Sequence, residues 1–248
     1  MTLMPDAEPW SLIQGDVGIV FIHGFTGSPK SMRPWAEELS REGWSVSVPR
    51  LPGHGTRWQD MNRTTWQDWY AEAERSLVDL QTRCSRVFVM GLSMGGTLTL
   101  RLAQQHGDAI AGIVLVNPAV HTERPDRHLL PILQRFVPSF PGISNDIAKP
   151  DQDEGAYTRI PLKAAHSLSQ LWKVVREDMP RVRQPLLLFR SVQDHVVEPS
   201  NAEYILTHAS SRDIEEVLLH DSYHVATLDF DAPVITRDST AFVKRLST

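Results

Sequence analysis

Between residues 87 and 103 the chain changes its hydrophobic period within five positions. Val87-Phe88-Val89-Met90 is a continuous apolar run of the kind found in a strand buried on both faces. Thr97-Leu98-Thr99-Leu100-Arg101-Leu102-Ala103 reads as a helix. The junction is Gly91-Leu92-Ser93-Met94-Gly95, a Gly-x-Ser-x-Gly sequence with one serine at its apex. A turn this tight needs residues without a Cβ on either side, and it lifts the hydroxyl above the sheet edge as a nucleophile elbow. Few architectures accommodate a strand that passes straight into a helix in this way. A parallel sheet with helices on its faces is the one indicated.

The rest of the chain supports that architecture. Strand-like runs at Gly18–Ile22, Ser45–Pro49, Val87–Met90, Ile113–Asn117, Leu186–Arg190 and Glu215–Leu219 alternate with helix-like runs. The helices are expected at Met32–Glu42, Thr65–Thr82, Met94–His106, Ala202–His208 and Val234–Leu246. Ser31 and Thr64 or Thr65 are candidate N-caps, and Pro199 suits a first helical turn. The alternation breaks once. Residues 118–185 separate two strands that ordinary connections would join in about 4–6 residues. This interval holds Pro118, Pro125, Pro131, Pro138, Pro141, Pro150 and Pro161, together with Leu129, Leu130, Ile132, Leu133, Phe136, Val137, Phe140 and Ile143. An insertion beyond the carboxyl end of a strand lies where open α/β sheets bind ligands. The division expected is therefore a core of residues 1–117 and 186–248, with 118–185 as a cap that includes a connecting helix. A subdomain packed peripherally on the sheet is the alternative.

A serine hydroxyl needs a base within hydrogen-bond reach, an acid to orient that base, and donors for the oxyanion. On this scaffold the chain order is serine, acid, histidine. Asp194 follows the strand-like run at 186–190 and is the candidate acid, with Glu198 as the runner-up nearer the next helix. His224 lies in the loop after the last strand-like run and is the candidate base, whereas His220 still belongs to the strand end. The oxyanion donors are assigned to the backbone N–H groups of Met94 and of Phe25, which follows the strand Val20-Phe21-Ile22 and His23-Gly24. His23 is assigned to support of that loop rather than to chemistry, and His195 to packing beside the acid.

Other chemistries are not indicated. The formal net charge of −5 and the lack of a basic stripe argue against nucleic acid. No metal-ligand pattern, phosphate loop or dinucleotide fingerprint appears, so no cofactor and no metal are expected. The single cysteine, Cys84, reads as a small semi-buried thiol. No apolar run approaches the ~20 residues of a membrane span, and Met1–Asp6 lacks the features of a secretory signal. The expectation is a cytoplasmic protein.

Taken together, His23-Gly24-Phe25-Thr26-Gly27, Pro52-Gly53-His54-Gly55, Gly91-Leu92-Ser93-Met94-Gly95-Gly96-Thr97, Asp194-His195-Val196-Val197 and Ser222-Tyr223-His224-Val225 resemble the bacterial monoacylglycerol lipases and the related small carboxylesterases of the α/β-hydrolase fold. The resemblance runs over nearly the whole chain, including Ser31-Met32-Arg33-Pro34 and the Thr64–Trp69 stretch. It implies Ser93 as nucleophile, Asp194 as acid, His224 as base, Phe25 and Met94 as oxyanion donors, and a small cap near the insertion. The proline-rich Pro125–Pro141 segment departs from the family pattern.

The reaction implied is ester hydrolysis through an acyl-enzyme on Ser93, with a monoacylglycerol of medium to long acyl chain as substrate. A general carboxylesterase acting on shorter esters is the alternative. Glu154, flanked by Asp151 and Asp153, is the candidate to bind glycerol hydroxyls, although such an acidic run is also what a solvated loop looks like. Ile143 is placed with it on the substrate-binding wall. The partner expected is a small lipid ester, with transient membrane-surface contact through the cap, in a monomer or a homodimer. A binding protein without activity and an acyltransferase are the competing classes, and a serine at the elbow argues against a dehalogenase.

Overall fold

The structure is a computed structural model that describes residues 2–142 and 144–247; Ile143 lies outside the described residues. Among the described residues nine strands are formed: β1 (Trp10–Leu12), β2 (Val17–Ile22), β3 (Ser45–Val48), β4 (Arg86–Leu92), β5 (Gly112–Val116), β6 (Ser139–Pro141), β7 (Arg159–Pro161), β8 (Leu186–Ser191) and β9 (Ile214–Leu219). The α-helices are α1 (Arg33–Ser40), α2 (Trp58–Met61), α3 (Trp66–Gln81), α4 (Met94–His106), α5 (Leu130–Leu133), α6 (Leu162–Glu177), α7 (Ser200–His208) and α8 (Ala232–Ser247). Seven strands form one sheet in the order β1-β3-β2-β4-β5-β8-β9. All its pairings are parallel except that of β1, which lies antiparallel on β3. This is the mostly parallel α/β architecture expected.

Strand parity builds two cores, because successive side chains point to opposite faces. Val20, Ile22, Val87, Val89, Ile113, Leu115, Leu186 and Leu188 pack with Trp69 and Leu77 of α3, Leu98 and Leu102 of α4, Leu171 and Val175 of α6 and Ile205 of α7. The alternate residues Ile19, Phe21, Phe88, Met90, Val114, Val116, Leu187 and Phe189 meet Trp35 and Leu39 of α1 and Ile235 and Phe242 of α8. The strands are thus apolar at consecutive positions because both faces are covered.

Several local expectations change. Ser31 does not cap α1: it lies in a 3-10 turn at Pro29–Ser31 and its Oγ donates to the Ser28 carbonyl. Met32 takes the N-cap position, with Pro34 supplying the fixed φ of the first turn. Thr65 does start α3, and its N–H and hydroxyl both donate to Asp68 at 2.8 and 2.9 Å. β1 carries no period over its three residues and is ordered by pairing with β3. Within residues 118–185, β6 and β7 form a separate two-stranded ribbon. The helix α6 in the same segment contributes Ala164, Leu168, Leu171 and Val175 to the main core. It therefore belongs to the helical layer as well as to the insertion.

Leu77 is fully buried between α3 and the sheet. Leu77→Ala is expected to lower the unfolding free energy by about 2–5 kcal/mol in urea titrations, with the slope unchanged.

Candidate active site

Three close approaches hold the elbow. A Cβ on Gly91 would stand 2.2 Å from the Gly95 carbonyl oxygen, and one on Gly95 would stand 1.9 Å from that of Ile22. One on Gly96 would meet Pro118 at 2.9 Å. The helix can approach the sheet this closely only with glycine at these points. Ser93 sits at φ 56° and ψ −117°, a strained conformation for a residue with a side chain. Its N–H donates to the Val116 carbonyl at 2.9 Å, and its own carbonyl accepts from Thr97 and Ala119. The hydroxyl opens into a cavity of about 790 Å³ lined by residues from the loops after β2, β4, β5, β8 and β9.

The loops after β8 and β9 bring Asp194 and His224 together. His224 Nδ1 donates to Asp194 Oδ2 at 2.8 Å, and the two side chains are 9% and 6% exposed. The other carboxylate oxygen of Asp194 accepts the N–H groups of Val196 and Val197, each at 2.8 Å. Burial works against the charged form of both partners. For His224 the negative charge and hydrogen bond of Asp194, with Glu154 and Asp146 nearby, outweigh that effect and raise its pKa above 6.5. For Asp194, burial is likewise outweighed, by His224 and the two backbone donors, and its pKa is lowered. The two shifts are one interaction seen from either side. Ser93 and His224 line the same cavity without a direct hydrogen bond, as is common before substrate closes the contact.

The His23 tautomer is set by the backbone. Its Nε2 accepts the Leu51 N–H at 3.2 Å, so Nδ1 carries the proton and donates to the Gly24 carbonyl at 2.9 Å. The Gly24–Phe25 peptide is trans, so fixing its carbonyl turns the Phe25 N–H to the opposite side. Gly24 lies against Ser93, where an added Cβ would stand 3.4 Å from the serine Cβ. Among the described residues the Phe25 N–H has no acceptor, and Phe25 lines the cavity. Met94 is the first residue of α4, where an N–H has no carbonyl four residues back within the helix. The two donors and the helix N-terminus suit an anion. Behind them His54 packs on His23 and on Trp69, at ring centroid distances of 5.0 and 5.5 Å.

Glu154 also reaches the cavity. Its Oε1 accepts the Asn145 N–H at 2.9 Å, its N–H donates to Asn145 Oδ1, and Oε2 lies on the side of Gly27. Burial raises its pKa although the Asn145 N–H and His224 oppose the shift. Between these polar groups the wall is apolar: Leu130, Leu133, Phe140, Ile160, Leu162 and Leu168. Ile143 lies outside the described residues. The runner-up acid Glu198 lies at the start of α7, where its Oε1 accepts from Thr122 Oγ1 and the Glu123 N–H rather than from His224. His220 is exposed on the rim of β9.

The sequence reading missed three residues that hold these loops. Asn117 Nδ2 donates to the His224 carbonyl at 2.7 Å and its Oδ1 accepts the Ser191 N–H. Asp229 accepts four backbone N–H groups, from Ala148, Lys149, Tyr223 and Phe230. Asp146 bonds His195 rather than leaving that ring merely packed, at 2.8 Å. None sits in a motif, and only its tertiary partners mark it. Among the described residues no group of acidic, histidine or cysteine side chains is arranged to hold a metal ion.

A family model described as serine aminopeptidase, S33 matches residues 16–231. The chain is 44% identical over 245 residues to the thermostable monoacylglycerol lipase of Bacillus sp. (strain H-257), covering 97% of this chain and 95% of that one. It is 24% identical over 242 residues to a carboxylesterase of Bacillus subtilis (strain 168), covering 96% and 97%. A solved structure of the metagenome-derived lipolytic enzymes LipS and LipT superposes with a TM-score of 0.95 at 40% identity, over 98% of this chain and 100% of that one. The monoacylglycerol lipase of Paleococcus ferrophilus shares the fold, with a TM-score of 0.81 at 18% identity over 99% and 100%.

The buried imidazoles make stability depend on pH. Burial lowers the His23 pKa to about 4 and holds that of His54 well below 6.5. The unfolded chain binds these protons first, so stability is lost as pH falls from 6.5 towards 4. His23 alone accounts for about 3 kcal/mol over that window. Urea titrations at pH 7, 5.5 and 4.5 should show a steep decline, and a flat profile would contradict neutral burial of the rings.

Proposed function

The chain belongs to the Hydrolase_4 family of serine hydrolases, and we propose that it hydrolyses the ester bond of monoacylglycerols to glycerol and a free fatty acid. One observation carries the reading. A strained serine, a buried histidine–aspartate pair and two outward N–H groups meet at a cavity with a largely apolar wall, into which Glu154 also reaches. Ser93 attacks the ester carbonyl while His224 takes its proton, and Asp194 holds the ring and stabilises the imidazolium. The Phe25 and Met94 N–H groups receive the oxyanion. His224 then returns the proton to the departing glycerol oxygen. Water, activated by the same base, releases the fatty acid from Ser93.

Substrate length and polarity follow from the walls. A cavity of about 790 Å³ is of the size that holds one drug-sized ligand, here a single acyl chain. Glu154 Oε2 accepts the glycerol hydroxyls. Residues 118–185, with α6 as the connecting helix, act as the cap over this cavity. Leu129, Ile132 and Phe136 on its outer side are 55%, 60% and 81% exposed, beside the Leu130 and Leu133 that line the cavity. They contact the lipid surface transiently while substrate enters. No helix among the described residues is long and apolar enough to cross a membrane. The reading places the protein in the cytoplasm, as a monomer or homodimer, with Cys84 a buried free thiol.

The test compares kcat/KM for 1-monolauroylglycerol, methyl laurate and dilauroylglycerol, with Ser93→Ala as the blank. The monoglyceride is expected to lead. Glu154→Ala should lower its turnover about 10- to 100-fold, the loss of hydrogen bonds to a charged group, and leave methyl laurate within about twofold. Equal losses on both esters would make the protein a general carboxylesterase that reads only the acyl chain. Because the His224 pKa is raised, kcat/KM should fall with pH through a midpoint above ~6.5. Phe136→Ser should slow hydrolysis of substrate presented in vesicles and spare a water-soluble ester.

A further inference from the structure

Asp146 stands where three loops meet. It belongs to the segment between β5 and β8, in the short run 144–149. Its side chain is 10% exposed and fully engaged. Oδ1 accepts from His195 Nδ1 at 2.8 Å; Oδ2 accepts the N–H of His224 at 3.1 Å and that of His195 at 3.3 Å. Its main-chain carbonyl accepts the Val225 N–H at 3.1 Å. The residues on either side are fixed too. Asn145, at φ 57°, is tied to Glu154 by two hydrogen bonds, and Ala148 and Lys149 donate to Asp229.

We infer that Asp146 is a positioning residue for the catalytic base: it fixes the main chain of His224 and adds to the negative charge around the imidazolium. The inference rests on His224 being the base. Its physical content is twofold. A histidine side chain can swing only as far as its backbone allows, and the 224–225 backbone is held here by an acidic residue of the cap segment. When His224 takes the serine proton, the new positive charge is surrounded by Asp194 from the β8 loop and by Glu154 and Asp146 from the segment above it. His195, whose ring is half exposed, faces the same carboxylate. Removing the Asp146 charge therefore weakens the base as well as loosening the loop. A residue that merely stapled the loop would affect folding without changing the proton affinity of His224.

The readout is phosphonylation of Ser93 by a fluorophosphonate, followed against pH. The hydroxyl oxygen displaces fluoride at phosphorus and His224 takes its proton, so the rate reports the base without depending on the natural substrate. Asp146→Asn is expected to move the midpoint of the acid limb down by several tenths of a pH unit and to lower the plateau rate three- to thirtyfold. Asp146→Ser keeps an oxygen near the His224 N–H without the charge and should shift the midpoint likewise, which covers the case where the amide disturbs folding. Asp146→Glu keeps the charge and should hold the wild-type midpoint even with a lower plateau. An unchanged midpoint in both neutral variants, with only the melting temperature lowered, would overturn the inference. If the wild-type protein is not labelled, or His224→Ala is labelled as fast, the assignment of His224 fails instead.

Discussion

The approach of α4 to the carboxyl ends of β2 and β4 is closer than any residue with a side chain permits at Gly91 and Gly95. From that contact the rest of the site follows. The strand can enter the helix without a loop only if one residue takes up the turn, and Ser93 does so at a positive φ. Such a conformation persists because its surroundings fix it more than once. β5 accepts the serine N–H through Val116, and the apolar sides of α4 are packed into the larger core. The strain is thus offset by packing that lies well away from the hydroxyl itself.

Around this rigid serine the partners are supplied by loops, and loops need other means of precision. Here the means are buried carboxylates and amides that accept or donate several main-chain bonds at once. Asp194 takes two backbone N–H groups in addition to the His224 ring, Asp229 takes four, and Asn117 bridges the ends of β8 and the His224 loop. Each buried charge is matched by enough donors to make its burial tolerable. The histidine support under Phe25 works in the same way but without charge. Its neutral ring both accepts and donates, which a protonated ring cannot do.

The sequence displays what is written in local period and omits what is decided by distant partners. The strand–serine–helix junction, the rhythm of the six strands and the order of Ser93, Asp194 and His224 are legible because each has a local signature. The α4 bounds are those read from the sequence, Met94–His106, because glycine at one end and Gly107 at the other punctuate it. By contrast Trp10–Leu12 has no alternation to read and becomes a strand only through β3. The β6–β7 ribbon is hidden because Pro141 and Pro161 argue against strands, and both lie at a strand end where the missing N–H is harmless. Ser31 looks like a helix cap until Pro29 draws it into the preceding turn. Asn117 and Asp146 carry no motif, since their partners lie tens of residues away along the chain, and Asp229 joins its near neighbours Tyr223 and Phe230 to Ala148 and Lys149, 81 and 80 residues away.

The segment 118–185 leaves the sheet at β5 and returns at β8, which are hydrogen-bonded neighbours. Because these strands are parallel, the segment departs from the carboxyl edge and α6 carries the chain back to the amino edge, so the material before α6 is an excursion above the cavity. Changing the length of such an excursion alters the closure entropy only by about 0.6 kcal/mol per doubling. The fold can thus exchange the material above its cavity at little thermodynamic consequence, and related chains are free to diverge there while keeping the same sheet. The freedom has one boundary. Any replacement that drops the short run from Asn145 to Lys149 also removes the anchors of the histidine loop, so interchange of this module is modular in its outer part and not at its root.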